Sequence, residues 1–151
     1  MSQNNTVNPE NKCSHLFDQV EKNQLVDSFK MMYEMQKSLQ DNLSQRGKGL
    51  NYDTADFMQK VNQIILEYKN VNLEMAELIE RLPHKSWKTY SPEQKQGWES
   101  EEQKLETWFE YIDVFHFFMN IGHLLGISAE DFVKLYVAKN KENFDRQKRG
   151  Y

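Results

Sequence analysis

Apolar positions recur at helical spacing along most of the chain. Leu25, Phe29, Met32, Met35, Leu39 and Leu43 step by three and four, the stripe of an amphipathic helix that predicts helix from about Leu16 to Ser44. The stretch from Arg46 to Tyr52, with Gly47 and Gly49, reads as a loop. Asp53 or Thr54 is placed to cap a second helix that runs to about Leu82 and stops before Pro83. A linker carrying Pro83, Pro92 and Gly97 follows; Trp87 and Trp98 give it more apolar surface than an idle loop usually carries. A third helix is predicted from near Glu99 to Leu125–Gly126. Ser128, with Asp131 three residues on, marks the start of a fourth, from Ala129 to about Asn143. No alternating strand, hairpin turn or internal repeat interrupts this pattern, so the fold class is all-α, a bundle of four main helices.

Length refines this picture. The chain has 151 residues, which suits one domain, residues 13–151, behind a polar, flexible N-terminus of residues 1–12. Its mean hydropathy is −0.85, in keeping with helices that expose long charged faces. No apolar run approaches the roughly 20 residues a membrane helix needs, and the first residues lack a signal-peptide plan; a cytoplasmic location with no membrane partner is expected. Cys13 is the single cysteine, so an internal disulfide is excluded and a thiolate zinc site has no support. A net charge of −4 argues against a nucleic-acid-binding face, yet leaves room for a small anion that brings its own metal.

The candidate chemistry lies in two acid pairs. Glu74-Met75-Ala76-Glu77 and Glu110-Tyr111-Ile112-Asp113 each put carboxylates three residues apart, on one face of a helix. On the third helix, Trp108, Ile112, Phe115, Met119 and Gly122 form the stripe predicted to be buried. Glu106, Glu110, Asp113 and Asn120 gather opposite, with Phe117 and His116 beside them. An aromatic ring among acids suggests a cleft. Acids sharing a cleft repel unless a cation neutralises them, and hard oxygen ligands favour Mg²⁺, with Mn²⁺ as a substitute. Spacing alone leaves two other readings open. Acids at helical spacing are more often a solvated face than a ligand set. Asp113-x-x-His116 also has the acid-x-x-His form of a di-iron bundle, although no second copy exists. A non-enzymatic helical adaptor, using its Met-rich and aromatic stripes, is the alternative of a different class.

The C-terminal half carries a more specific pattern. Glu110, Asp113, His116 and Phe117 are followed by Lys139-Asn140, Asn143, Arg146-Gln147 and a closing Gly150-Tyr151. Together with Gln36-Lys37-Ser38-Leu39-Gln40 and the first acid pair followed by Trp87-Lys88, this resembles the dimeric dUTPase branch of the all-α NTP pyrophosphatase superfamily, most closely its phage members that act on dCTP as well as dUTP. The resemblance spans about Met31 to the last residue. It implies a homodimeric helical bundle that hydrolyses dCTP and dUTP to monophosphate and pyrophosphate, with the diphosphates dCDP and dUDP as further candidate substrates and a nucleotide-synthesis enzyme complex as a candidate partner. It assigns Glu74, Glu77, Glu110 and Asp113 to Mg²⁺, with Glu77 also the catalytic acid that orients water. It assigns Lys139, Asn143 and Arg146 to phosphate and sugar, Tyr151 to the closing aromatic of the substrate-binding motif, and Gln36 to the base. Trp87, Lys88 and His116 join them as candidate substrate contacts, each with ordinary packing as its competing explanation.

Gln40 departs from the family pattern, where dimeric dUTPases usually carry Asn. The longer amide is expected to shift and so relax the choice between cytosine and uracil, because a rotating amide serves either base. A strict dUTPase is the runner-up within the enzyme class.

Overall fold

The computed structural model describes residues 27–150. Over that span the chain forms α1 (Asp27–Gln45), α2 (Phe57–Glu80), the short α3 (Pro92–Gln96), α4 (Glu101–Leu124) and α5 (Ala129–Lys148), with no strand among the described residues. The fold is all-α. The expected flexible stretch 1–12, the predicted helical start near Leu16, and Cys13, Leu25 and Tyr151 lie outside the described residues.

Local chemistry sets the helix ends. α1 stops in a Schellman motif: Gly47 takes φ +68, its N–H reaches the Ser44 carbonyl at 2.9 Å, and the Lys48 N–H reaches Leu43 at 2.9 Å. The cap of α2 is Asp56, rather than Asp53 or Thr54. Its side chain accepts from the Gln59 N–H while the Gln59 side chain accepts from the Asp56 N–H, a reciprocal box the earlier residues cannot make. The linker holds a helical turn that periodicity misses, α3, opened by a second such box between Ser91 and Gln94 with Pro92 in its first turn. Ser100 caps α4, with Glu101 and Glu102 in the first turn favouring the positive helix end. Gly126 turns the chain at φ +74 after α4, and Ser128 caps α5 as predicted, accepting from the Asp131 N–H at 3.0 Å. α5 persists to Lys148, one turn and more beyond the predicted Asn143.

Two compact units divide the described residues, 27–34 with 127–150, and 35–126. In the first, Phe29 packs on Phe132 with ring centroids 4.8 Å apart, and Tyr33 donates to the Ile127 carbonyl at 2.9 Å. Burial pushes the Tyr33 phenol up to about 12. Further along, Glu142 is buried and accepts from Arg146 at 3.2 Å and Arg149 at 2.7 Å. Burial opposes its charge, but Arg149 and then Arg146 outweigh burial and hold the carboxyl below its usual range.

The second unit is built on α2 packed against α4. The pairs Glu67–Asn120 at one end and Arg81–Glu106 at the other run the two helices antiparallel. The layer between them differs from the predicted stripe. Trp108 and Ile112, expected inside, are 53% and 43% exposed, whereas Thr107, Glu110, Val114 and Asn120 are buried; Met119 and Gly122 are buried as expected. On α1, Met32, Met35 and Leu39 are exposed as well, and Tyr33 and Gln36 turn inward. The reason is electrostatic and steric together. Glu67 and Asn120 satisfy one another across the interface beside the buried Val71, Val114 and Met119, so the packed face is mixed and part of the apolar surface stays outside it.

Candidate functional site

The acid pairs meet. Glu74 and Glu77 lie one turn apart on α2, and their carboxylate oxygens come within 4.8 Å of each other and of an oxygen of Glu110 on α4. Glu110 is the buried member, Glu74 is half-buried and Glu77 is exposed. Burial, followed by the charges of Glu77, Asp113 and Glu110, pushes the Glu74 carboxyl above its usual value. Asp113 therefore bears on this cluster electrostatically, while its own carboxylate faces His116 Nδ1 at 3.5 Å. All four sequence-predicted acids share one end of one helix pair.

Among the described residues, Arg81 brings a positive charge into the cluster. Arg81, the C-cap of α2, donates from Nε to Glu110 Oε1 at 2.6 Å, and its Nη2 lies 2.5 Å from that oxygen and 3.8 Å from Glu106. Arg81 also lines a cavity of about 580 Å³ bounded by Lys85, Lys88, Tyr90 and Trp98, which does not reach Glu74 or Glu77. Lys88 lies over the Tyr90 ring at 5.7 Å. Trp87, one residue away, is 82% exposed and does not pack the linker in this chain.

Two turns along the same helix pair, a buried polar network replaces the acids. Glu67 stands seven residues before Glu74, and Asn120 seven after Asp113. Asn120 Nδ2 donates to Glu67 Oε2 at 3.2 Å, and Gln36 Nε2 donates to Asn120 Oδ1 at 2.8 Å. Glu67 Oε1 accepts from Gln63 at 2.6 Å and faces the Tyr52 hydroxyl at 3.4 Å. That hydroxyl is also 3.4 Å from Gln40 Oε1, so Gln36 and Gln40 enter the same network. Burial, and then the Glu67 charge, drives the Tyr52 phenol far above its ordinary value.

The sequence is similar to that of named proteins. The dUTPase family model covers residues 104–151. The dCTP pyrophosphatase of Enterobacteria phage LZ5 is 33% identical over 169 residues, spanning 93% of this chain and 98% of that protein. The dCTP pyrophosphatase of Enterobacteria phage T4 is 32% identical over 167 residues, with the same coverage of 93% and 98%. The chain belongs to the dimeric dUTPase-type family that holds these phage proteins.

A "DNA replication protein" of phage T4 is also similar to this dUTPase-type chain, at 31% identity over 157 residues, 87% of this chain and 40% of that protein. No solved structure matches significantly. The family-matched segment carries Glu110, Asp113, His116, Lys139, Asn143, Arg146 and Tyr151, whereas Glu74 and Glu77 lie outside it. On α5, Lys139 and Asn143 are exposed, and Arg146 is half-buried against Glu142. Three side chains escaped the sequence reading of the dUTPase-type site. Arg81 is 29 residues from Glu110, so no local spacing flags it. Glu67 and Tyr52 look like surface and loop residues until the fold buries them.

Proposed function

We propose that the protein is a Mg²⁺-dependent dCTP pyrophosphatase, releasing dCMP and pyrophosphate, that also hydrolyses dUTP to dUMP and pyrophosphate. The observation that carries this reading is the convergence of Glu74, Glu77 and Glu110 to within 4.8 Å, beside Asp113. Their fit to a metal rests on donor chemistry: every donor is a hard carboxylate oxygen, the set Mg²⁺ or Mn²⁺ prefers and zinc or copper does not need. When bound, such an ion polarises phosphoryl oxygen and lowers the pKa of water.

The chain's own groups supply the rest. Glu77, the exposed acid, is the candidate to accept a proton from the attacking water. Arg81 balances Glu110 in the absence of other cations and is placed to turn toward a phosphate when that carboxylate is engaged. Lys139, Asn143 and Arg146 match phosphate- and sugar-contacting positions of the family pattern and Tyr151 its closing aromatic, while His116, Trp87 and Lys88 are candidate contacts for the rest of the nucleotide.

A homodimer is part of this reading. Trp108, Phe109, Ile112, Leu66 and Leu73 all stand exposed on the helices that carry the site, apolar surface that a partner helix face would cover. A second copy would cover it. No single described helix is long and apolar enough to cross a membrane, and the setting proposed is the cytoplasm of an infected host.

The deciding experiment follows hydrolysis with Mg²⁺ and with EDTA, as pyrophosphate release from dCTP and dUTP and as inorganic phosphate release from dCDP and dUDP. Mg²⁺-dependent cleavage of dCTP supports the reading; no release from any nucleotide would leave the helical adaptor in its place, and cleavage of dUTP alone would leave the strict dUTPase.

A further inference from the structure

Gln36 is only 5% exposed, yet only half of its amide is used. Nε2 donates to Asn120, and Oε1 has no partner among the described residues. No described side-chain oxygen is both sealed from solvent and unpartnered, so Oε1 keeps some contact with solvent. The donor end of Gln36 is occupied and the acceptor end is free to take a partner.

The reason lies two residues further in. A carboxylate only accepts hydrogen bonds. Glu67 is 3% exposed and takes Asn120 Nδ2 on one oxygen and Gln63 Nε2 on the other. Asn120, at 2% exposure, therefore has its amide turned one way: Nδ2 to Glu67 and Oδ1 to Gln36. That oxygen in turn requires a donor, which is Gln36 Nε2. Polarity passes from Glu67 through Asn120 to Gln36, and reversing it would leave a buried polar atom unpaired.

We infer that Glu67 and Asn120 are positioning residues that hold Gln36 Oε1 as a fixed hydrogen-bond acceptor for the exocyclic amino group of cytosine. This rests on the nucleotide reading of the acid cluster. Position supports it: Glu67 and Asn120 each lie seven residues from the acids along α2 and α4, about 10 Å at 1.5 Å per residue. That is the reach from the phosphate of a deoxynucleotide to the far edge of its base. A fixed acceptor pairs with the amino group of cytosine and repels the carbonyl oxygen that uracil carries at the same ring position. Gln36 is thereby denied the free rotation that would let one amide serve both bases.

Glu67→Gln is the test, because a glutamine there can donate. Asn120 can then turn to accept from residue 67, Gln36 turns in response, and Nε2 faces the base. In kcat/KM, wild type is expected to favour dCTP over dUTP, and the variant to lower that ratio by roughly tenfold or more, as a reversed hydrogen bond at a specificity site does. The loss should fall on dCTP, with dUTP turnover kept or raised, a split that mere loosening of the interior would not produce. A wild-type ratio near one, a preference for dUTP, or an unchanged ratio in an active variant overturns the relay. Release of pyrophosphate from neither nucleotide by wild type would instead overturn the nucleotide reading itself. Should the variant fail to fold, ¹⁵N-glutamine-labelled wild type decides: the relay requires the Gln36 side-chain NH₂ to exchange slowly with solvent before and after dCMP is added, and rapid exchange refutes it.

Discussion

Removing one acid from the cluster is expected to stabilise the metal-free protein while weakening its response to Mg²⁺. Glu74→Gln is the cleanest change, since glutamine keeps the shape and a similar helix propensity. Two unit charges at 4.8 Å repel by about 0.9 kcal/mol in water and about 3.5 kcal/mol at an effective dielectric of 20. Glu74 is half-buried and Glu77 exposed, so screening holds each pair near the lower figure, and Arg81 already offsets the charge of Glu110. The relief is then about 1–2 kcal/mol, or a rise in melting temperature of about 2–8 °C for a chain of this size.

Its pH dependence has a definite sign. The Glu74 carboxyl sits above its ordinary 4.5 in the fold, so the folded state holds a proton the unfolded chain has released. The resulting stability is fully present below 4.5 and lost as pH rises through the raised folded value. The gap between variant and wild type should open on going from mildly acidic to neutral pH. Calorimetric melting at neutral pH, in EDTA and then in excess MgCl₂, is the assay. Wild type should gain stability with Mg²⁺ by ligand linkage, and the variant much less. A variant less stable than wild type in EDTA, or one that gains as much from Mg²⁺, would refute the shared-cation argument.

Three further outcomes follow from named contacts. Glu77→Gln and Asp113→Asn should each lower dCTP turnover at least about a hundredfold, with helical circular dichroism unchanged; retained activity removes that residue from the chemistry. Arg81→Ala should lower stability in EDTA and tighten Mn²⁺ binding roughly tenfold, the equivalent of about 1.5 kcal/mol of competing charge-assisted contact, as read by titration calorimetry without nucleotide. Ser128→Ala should cost about 1 kcal/mol in denaturant unfolding by freeing the Asp131 N–H at the start of α5.

The sequence was most legible where chemistry is local. The α5 cap at Ser128, the loop around Gly47 and the one-turn spacing of the acids all depend on neighbours within a few residues. α3 was readable in retrospect from Ser91-Pro92-Glu93-Gln94, a capping box with proline in the first turn. Periodicity then misled at Trp108, Ile112, Met32 and Leu39, because it reveals that a helix has an apolar face and not what that face meets. Arg81 was invisible for a different reason: its partner Glu110 is brought near only by the antiparallel return of α4. Glu67, midway along a helix, looked like any solvated glutamate until Asn120 and Gln63 closed around it.

On the proposed reading, packing and recognition share side chains: Gln36, Glu67, Glu110 and Asn120 are all buried, beside Val71, Val114 and Met119. A lineage shifting from one pyrimidine to another must therefore rebuild part of its own interior, and changes in taste will travel with changes in thermal tolerance.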